Sequence, residues 1–205
     1  RGSMMNRHIL AISGGGFSVE EDAYIDQFLL KLCKKTTPIK ICFITTASDD
    51  SPDYIEKFYQ RFQTEEPSHL MIADLNMENI QDAVNSFDIV YIGGGNTYRM
   101  LNVWREIGFD QVIMNAYKSG VIICGISAGA ICWFEECFSK RDEAYVEFKG
   151  LGVLRGSFCP HYNMEARRIA FDQWAMKQVD KPIYKLMDNE NLHFINEQLV
   201  EKITT

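Results

Sequence analysis

The chain has 205 residues, of which 46% are hydrophobic and 24% are charged, and its formal net charge is −7. This composition is typical of a globular protein with a core of its own and excludes a disordered or collagen-like chain. The negative charge disfavours nucleic acids and anionic membranes as partners, because their phosphate groups favour a basic surface. We find no apolar run long enough for a membrane span and no apolar signal-peptide core, so we expect a cytoplasmic protein.

Two further features bear on the organisation of the chain. Residues 1–3, Arg-Gly-Ser, are interpreted as the remnant of an expression tag, and residues 4–205 are expected to form a single domain. The six cysteines include no C-x-x-C pair, and several lie in apolar runs where a free thiol packs as a small hydrophobic group. This cysteine usage also favours the reducing cytoplasm.

Short β-branched apolar runs alternate with amphipathic stretches along the chain. The predicted strands cover residues 7–13, 39–47, 70–75, 88–92, 121–126, 156–159, 183–187, 192–195 and 199–203. The predicted helices cover residues 20–34, 52–63, 96–106, 110–118, 128–136 and 165–178, the first of them behind a capping box of Ser18 and Glu21. This order predicts an α/β fold with three layers, in which a doubly wound, mostly parallel sheet ends in an antiparallel C-terminal edge.

The pattern G-x-S-x-G occurs at Gly125 to Gly129, where a predicted buried strand meets a predicted helix. Such a nucleophile elbow holds its serine in a strained turn that requires small flanking residues, and it exposes the hydroxyl. The pattern therefore predicts Ser127 as a nucleophile and the backbone amide of Ala128 as an oxyanion donor. The alternative interpretation is that the glycines only permit tight packing around an inert serine.

A serine nucleophile needs a base and an acidic group that orients the base. Among the four histidines, His161 follows the carboxyl end of a predicted strand, where ligands bind in parallel sheets, so we predict it as the base. Asp188 follows another strand and is our choice for the acid. Glu190 and Asp142 are alternatives, and any of the three acids could instead be a solvated surface group.

Two glycine-rich segments also follow predicted strands. The first, Gly93–Thr97, lacks the lysine of a phosphate-binding P-loop and the spacing of a dinucleotide fingerprint, which disfavours nucleotide binding. We interpret it as the source of a second oxyanion amide, because glycine lets backbone approach a substrate closely. The second segment, Gly14–Gly16, either lines the same edge of the sheet or forms a plain tight turn.

Three motifs in this order, Gly93–Thr97, Gly125–Ala130 and Pro160–Tyr162, resemble the dipeptidase E and cyanophycinase family of serine peptidases. The resemblance implies a flavodoxin-like or class I glutamine amidotransferase-like fold and a serine exopeptidase that acts on dipeptides or short peptides without a cofactor or metal. It also implies roles for individual residues: Ser127 as nucleophile, His161 as base, and Gly95 and Ala128 as donors of the oxyanion amides.

The chain departs from this family at two points. Asp188 stands where the dipeptidases have a glutamate, and Glu165 stands where the aspartyl dipeptidases have an arginine linked to recognition of an amino-terminal aspartate. Arg167 and Arg168 lie close by, so the preference for that first residue is not expected to transfer. A hydrolase of another ester or amide, or a binding module with a vestigial elbow, remains the alternative function. The sequence does not indicate the oligomeric state.

Overall fold

The computed structural model describes residues 5–19 and 23–205, so the predicted tag remnant and Glu21 of the predicted capping box lie outside the described residues. The strands are β1 His8–Ile12, β2 Lys40–Ile44, β3 Glu66–Leu70, β4 Ile89–Ile92, β5 Ile122–Ile126, β6 Glu136–Lys140, β7 Tyr145–Lys149, β8 Ser157–Cys159, β9 Ile183–Lys185, β10 Glu190–Ile195 and β11 Gln198–Thr204. The helices are α1 Tyr24–Leu32, α2 Pro52–Arg61, α3 Ile80–Asn85, α4 Thr97–Ile107, α5 Phe109–Lys118, α6 Ala128–Ile131 and α7 Glu165–Ala175.

The central sheet has seven strands in the order β11-β10-β1-β5-β4-β2-β3. The strands from β1 to β3 in that order pair in parallel, whereas β10 pairs antiparallel with both β1 and β11. Alternate residues of β1 enter two separate apolar clusters, so the sheet is covered on both faces. The predicted α/β architecture with a mostly parallel sheet and an antiparallel C-terminal edge is confirmed.

The order of the strands determines where chemistry can occur. Strands β1, β5 and β4 are neighbours, and all three end at the same edge of the sheet because they are parallel. The loops that follow them carry Gly14, Ser127 and Gly95. Three distant parts of the sequence therefore meet at the edge where parallel sheets bind their ligands.

The strand predicted over residues 70–75 is wrong. The strand β3 covers Glu66–Leu70 instead, and a 3-10 turn follows at Ile72–Asp74. Since β3 is an edge strand of the described sheet, with β2 as its neighbour, its mainly polar sequence is tolerated and gives no apolar signal. The turn closes because the Asp74 carboxylate accepts a hydrogen bond from the Met71 N–H at 2.8 Å.

The helix predicted over residues 128–136 is also too long, because α6 ends at Ile131. Beyond that point the carbonyl groups bond to a distant loop instead of continuing the helix. The Cys132 carbonyl accepts the Leu151 N–H, and the Trp133 carbonyl accepts the Leu154 N–H, both at 2.8 Å. The chain then forms the hairpin of β6 and β7, which the sequence did not indicate.

Smaller differences affect the ends and neighbours of the other elements. The short helix α3 was not predicted, and α7 ends at Ala175 instead of residue 178. The strand predicted over residues 183–187 is present as β9, but it pairs in parallel with β8 in a separate small sheet. In the part of the chain that the structure describes, no helix combines the length and the apolar character needed to cross a membrane.

Two histidines meet where β1 and β10 pair. His8 Nδ1 and His193 Nε2 lie 2.9 Å apart, and the ring of Phe28 contacts His193 edge-on. Burial, with a further contribution from His8, lowers the pKa of His193 to about 4. Burial and then Lys34 lower the pKa of His8. Both imidazoles therefore bind a proton more weakly in the folded chain than in the unfolded chain.

This pair predicts a loss of stability in mild acid. Below about pH 6.5 the unfolded chain takes up protons that the folded pair resists, so the free energy of unfolding should be about 2 kcal/mol lower at pH 5 than at pH 7.5. Urea unfolding at the two pH values measures this difference. His193→Gln should reduce it, and His69→Gln, which changes a histidine outside the pair, should not. An equal difference in wild type and His193→Gln would contradict the prediction.

Candidate active site

Ser127 lies in the sharp turn between β5 and α6. Its backbone has φ 51° and ψ −106°, a strained conformation for a residue other than glycine. Neither glycine of the motif can carry a side chain, because a Cβ on Gly125 would lie 2.0 Å from the Gly129 carbonyl oxygen, and one on Gly129 would lie 2.1 Å from the Ile92 carbonyl oxygen. The turn predicted from G-x-S-x-G is therefore present, with the serine at its apex.

His161 lies in the loop after β8, and it too has a positive φ, of 53°. Its backbone N–H donates to Ser13 Oγ at 2.9 Å, and that hydroxyl donates to the Leu186 carbonyl at 3.0 Å. The ring bridges two of the predicted site residues: Nε2 lies 3.2 Å from Ser127 Oγ, and Nδ1 lies 2.6 Å from Asp188 Oδ1. The three side chains form one continuous chain of hydrogen-bonding contacts.

The three candidate acids occupy different places. Asp188 contacts His161 through one oxygen and accepts a hydrogen bond from Asn163 Nδ2 at 3.0 Å through the other. The Glu190 carboxylate instead accepts the Met187 N–H and pairs with a lysine of β11. Asp142 is exposed in the turn between β6 and β7. Among the described residues, Asp188 is the acid within hydrogen-bond distance of the histidine.

The predicted oxyanion donors are the amides of Gly95, in the cavity lining, and Ala128, which follows Ser127 directly. Gly95 has φ 141°, and a Cβ there would lie 2.0 Å from the Ala47 carbonyl oxygen, so only glycine fits. Ala128 is the first residue of α6, where N–H groups have no partner within the helix. Within the described chain, neither amide N–H has a hydrogen-bond acceptor. The prediction that they bind a negatively charged oxygen therefore conflicts with no hydrogen bond of the described chain.

A cavity of about 450 Å³ opens over these groups. Its lining includes Gly14, Ser18, Val19, Tyr54, Gly94, Gly95, Ile126, Ser127, His161, Met164 and Arg167. A larger cavity, of about 610 Å³, lies at the opposite edge of the sheet, next to His8 and Lys35. The smaller cavity is the candidate active site because it contains the serine, the histidine and a free amide.

Comparison with known proteins decides the family. Residues 9–202 match the model of Peptidase family S51. The chain belongs to peptidase family S51. This membership confirms the predicted resemblance and the predicted enzyme class, a serine peptidase.

Two curated proteins show how far the sequence similarity extends. "Uncharacterized peptidase YgaJ" of Bacillus subtilis (strain 168) is 43% identical over 203 residues, which cover 97% of this chain and 88% of that protein. "Peptidase E" of a Nostoc species is 24% identical over 167 residues, or 77% of this chain and 66% of that protein.

The similarity to solved structures concerns the fold. A peptidase from an acI-B1 Actinobacterium has a TM-score of 0.71 at 18% identity, covering 98% of this chain and 88% of that one. A crystal structure from Listeria monocytogenes EGD-e has a TM-score of 0.72 at 20% identity, covering 98% of this chain and 99% of that one. Both share the fold of this S51 peptidase along nearly its whole length.

Two arginines lie close to Glu165, the predicted recognition position: Arg168 pairs with Glu165, and Arg167 faces the cavity. Arg168 lies 3.9 Å from Glu165, whose side chain is 80% exposed. Arg167 lines the cavity and lies over the ring of Tyr145, with 5.5 Å between the guanidinium carbon and the ring centroid. Its buried Nε and Nη1 atoms have no hydrogen-bond partner in the described chain. This S51 peptidase therefore places one unpaired guanidinium group in its cavity wall.

Sequence reasoning missed three residues that support the site. Ser13 holds the backbone of His161, and Asn163 makes a reciprocal pair with Asp188, accepting its N–H at 2.9 Å. The hydroxyl of Tyr54 accepts the Gly94 N–H at 3.1 Å. None of these residues belongs to a motif, because each acts on a group far away in the sequence. Only the position of Ser13, directly after β1, was a usable signal.

The glycine that follows β1 is required by the site. Gly14 was predicted either to line the active edge of the sheet or to form a plain turn, and it lines the cavity. A Cβ at this position would lie 1.9 Å from Asp188 Oδ1 and 2.6 Å from His161 Nδ1. Any side chain here would therefore push the histidine and the acid apart.

Proposed function

We propose that this S51 peptidase is a serine exopeptidase that hydrolyses dipeptides or short peptides through an acyl-enzyme on Ser127. The observation that carries the proposal is the pair of contacts through His161, 3.2 Å to Ser127 Oγ and 2.6 Å to Asp188 Oδ1. A hydroxyl, an imidazole and a carboxylate in this order form the relay used for acyl transfer. Family membership supports the reaction class.

The proposed reaction has two steps. Ser127 Oγ attacks the peptide carbonyl carbon as its proton passes to His161 Nε2, and the resulting oxyanion accepts hydrogen bonds from the amides of Gly95 and Ala128. The C–N bond then breaks, and the imidazolium gives its proton to the leaving amine. A water molecule, deprotonated by His161, attacks the acyl-enzyme and releases the carboxylic acid and the free serine. Asp188 orients the imidazole throughout.

The cavity suits a small substrate with a negatively charged group. Its volume of about 450 Å³ is in the range of small-molecule sites. The unpaired guanidinium of Arg167 is the positively charged group in its lining. Arg167 is half-buried, and a guanidinium group without a carboxylate partner forms strong, charge-assisted hydrogen bonds when an anion binds. We propose that a carboxylate of the substrate, at its C-terminus or on a side chain, binds there.

Depletion of a pooled dipeptide and short-peptide library, followed by mass spectrometry, tests the proposed activity. We expect the wild-type enzyme to consume a defined subset of the peptides, and Ser127→Ala to consume none. The cleavage products identify the bond and show whether one end of the peptide must be free. Consumption of ester or side-chain amide probes alone would support the alternative hydrolase. Tight peptide binding without turnover, unchanged in Ser127→Ala, would support a binding module.

The role of Arg167 gives a prediction about affinity. Arg167→Met should raise KM for a cleaved peptide about 10- to 100-fold, because a charge-assisted hydrogen bond contributes about 1.5–3 kcal/mol, and should change kcat little. The matched control is Arg168→Met, which changes the neighbouring arginine that pairs with Glu165. Steady-state kinetics on peptides with a C-terminal amide, or with Asn in place of Asp, identify which carboxylate binds. Equal KM values for wild type and Arg167→Met would refute the assignment.

A further inference from the structure

The side chain of Tyr54 connects helix α2 to the glycine loop of the site, residues 93–95. Its hydroxyl oxygen accepts the Gly94 N–H at 3.1 Å. The ring is held between two aromatic neighbours, stacked on Phe17 with 5.3 Å between centroids and edge-on to Phe43 at 4.8 Å. The hydroxyl is therefore fixed in position by packing that does not depend on the hydrogen bond.

Among the backbone N–H groups of residues 93–96, three donate a hydrogen bond within the described chain and one does not. Gly93 donates to a carbonyl of β2, and Asn96 donates to the Ala47 carbonyl, at 3.1 and 2.8 Å. Between them, Gly94 donates to Tyr54, and Gly95 has no acceptor among the described residues. The bonds at the two ends are made to backbone. The hydrogen bond of Gly94 is made to the Tyr54 side chain, so a substitution at Tyr54 can remove this bond and leave the other two.

A run of three glycines needs such a restraint. Glycine rotates into positive and negative φ at similar cost, so a peptide group between two glycines can reverse its direction easily. Reversal of the Gly93–Gly94 peptide would turn its carbonyl toward the position that the Tyr54 hydroxyl now occupies, and would change the direction of the next amide. The loop geometry thus depends on a group outside the loop.

The hydroxyl of Tyr54 and the side chain of Ser127 both lie near Gly94. A Cβ added to Gly94 would lie 3.8 Å from Tyr54 Oη and 3.7 Å from Ser127 Cβ, so both side chains are close to the same point of the backbone. Burial raises the pKa of Tyr54 to about 12, although hydrogen bonds from Gly94 and Ser18 oppose the shift. The phenol stays neutral at every pH where a peptidase is assayed, and its oxygen remains an acceptor for Gly94.

We propose that Tyr54 is a positioning residue of the oxyanion site: its hydroxyl holds the Gly93–Gly94 peptide so that the Gly95 N–H stays free toward the cavity. The inference rests on the proposed function, in which Gly95 stabilises the oxyanion formed on attack by Ser127. The hydroxyl acts through the loop and makes no bond to the substrate. Its removal should therefore weaken binding of the transition state more than binding of the substrate.

The test is Tyr54→Phe, which keeps both ring contacts and removes only the hydroxyl. We expect kcat to fall about 10- to 100-fold with KM within about threefold of wild type, somewhat less than the loss of an oxyanion donor itself. A peptide boronate or aldehyde, which forms a tetrahedral adduct on the serine, should bind more weakly by a similar factor, while product binds as before. The matched control is Tyr59→Phe, since Tyr59 lies on the same helix and bonds to His69 at 2.8 Å.

Each outcome decides for or against the inference. Unchanged kcat and unchanged affinity for the tetrahedral adduct in Tyr54→Phe would overturn it, as would a rise in KM alone, which would make Tyr54 a substrate-binding group. An equal loss in Tyr59→Phe would also overturn it, because the effect would then come from the helix. If Ser127→Ala kept wild-type turnover, the proposed function itself would fail, whatever Tyr54→Phe does.

Discussion

Replacement of Ser127 by alanine should lower kcat/KM for a cleaved peptide by about 10⁶-fold, close to complete loss. In serine peptidases the removal of the nucleophile alone costs about as much as removal of the whole triad, because the groups act as one unit. Here the hydroxyl is the group that lies 3.2 Å from His161 Nε2, and alanine leaves the imidazole with nothing to deprotonate. Continuous assays on one peptide from the library measure the loss.

The control for this variant is Ser119→Ala, which removes a hydroxyl that donates to the Ala116 carbonyl at the end of α5, away from the cavity. It should keep wild-type kinetics. A fluorophosphonate loses fluoride as the serine oxygen bonds to phosphorus. It should add the mass of its phosphonyl group to the peptide containing Ser127 in wild type and in Ser119→Ala, and to no peptide in Ser127→Ala. Wild-type turnover in Ser127→Ala would exclude the acyl-enzyme mechanism.

The sequence predicted the centre of the sheet well because that part of the fold is determined by local signals. Strands β4 and β5 are fully buried, so their residues form continuous apolar runs that need no knowledge of their neighbours. The turn at Ser127 has a local signal too, since Gly125 is required by its contact with the Gly129 carbonyl across that turn, although Gly129 is required by a carbonyl of the neighbouring strand β4. Both predictions depended on residues close to one another in the chain.

The elements that were predicted wrongly depend on distant partners. Helix α6 stops at Ile131 because carbonyl groups beyond it bind the N–H groups of Leu151 and Leu154, about twenty residues further on. Strand β3 exists because its backbone pairs with β2, although its residues are mainly polar. An amphipathic pattern cannot reveal either bond, since it reports only which side chains are apolar.

Local sequence patterns also could not identify the carboxylate that contacts His161. Asp188, Glu190 and Asp142 all follow strands or helices, and nothing local distinguishes them. The choice depends on where each loop directs its carboxylate: Asn163 bonds to both the backbone and the side chain of Asp188, while Lys202 pairs with Glu190. The structure thus brings Asp188 to His161, and its role in the reaction stays a prediction.

That role is testable through Asp188→Asn, which should lower kcat about 10⁴-fold, although the two side chains have nearly the same size and geometry. In serine protease triads the same substitution has an effect of this size, because an amide no longer holds the imidazole in the required tautomer. Here Asp188 Oδ1 lies 2.6 Å from His161 Nδ1, where a carboxylate favours the tautomer whose Nδ1–H donates a hydrogen bond to it and whose Nε2 is unprotonated toward Ser127. An asparagine NH₂ group at this point would favour the opposite tautomer.

Glu190→Gln and Asp142→Asn are the matched controls, and both should keep kcat within about threefold of wild type. Thermal unfolding separates chemistry from folding, because Glu190→Gln loses the ion pair with Lys202, at 2.7 Å, and should lower stability more than activity. Asp188→Asn should lower activity more than stability. If Asp142→Asn caused the large loss instead, the carboxylate beside His161 would be structural, and the acid that orients the base would have to come from the β6–β7 turn through a movement of that hairpin toward the cavity.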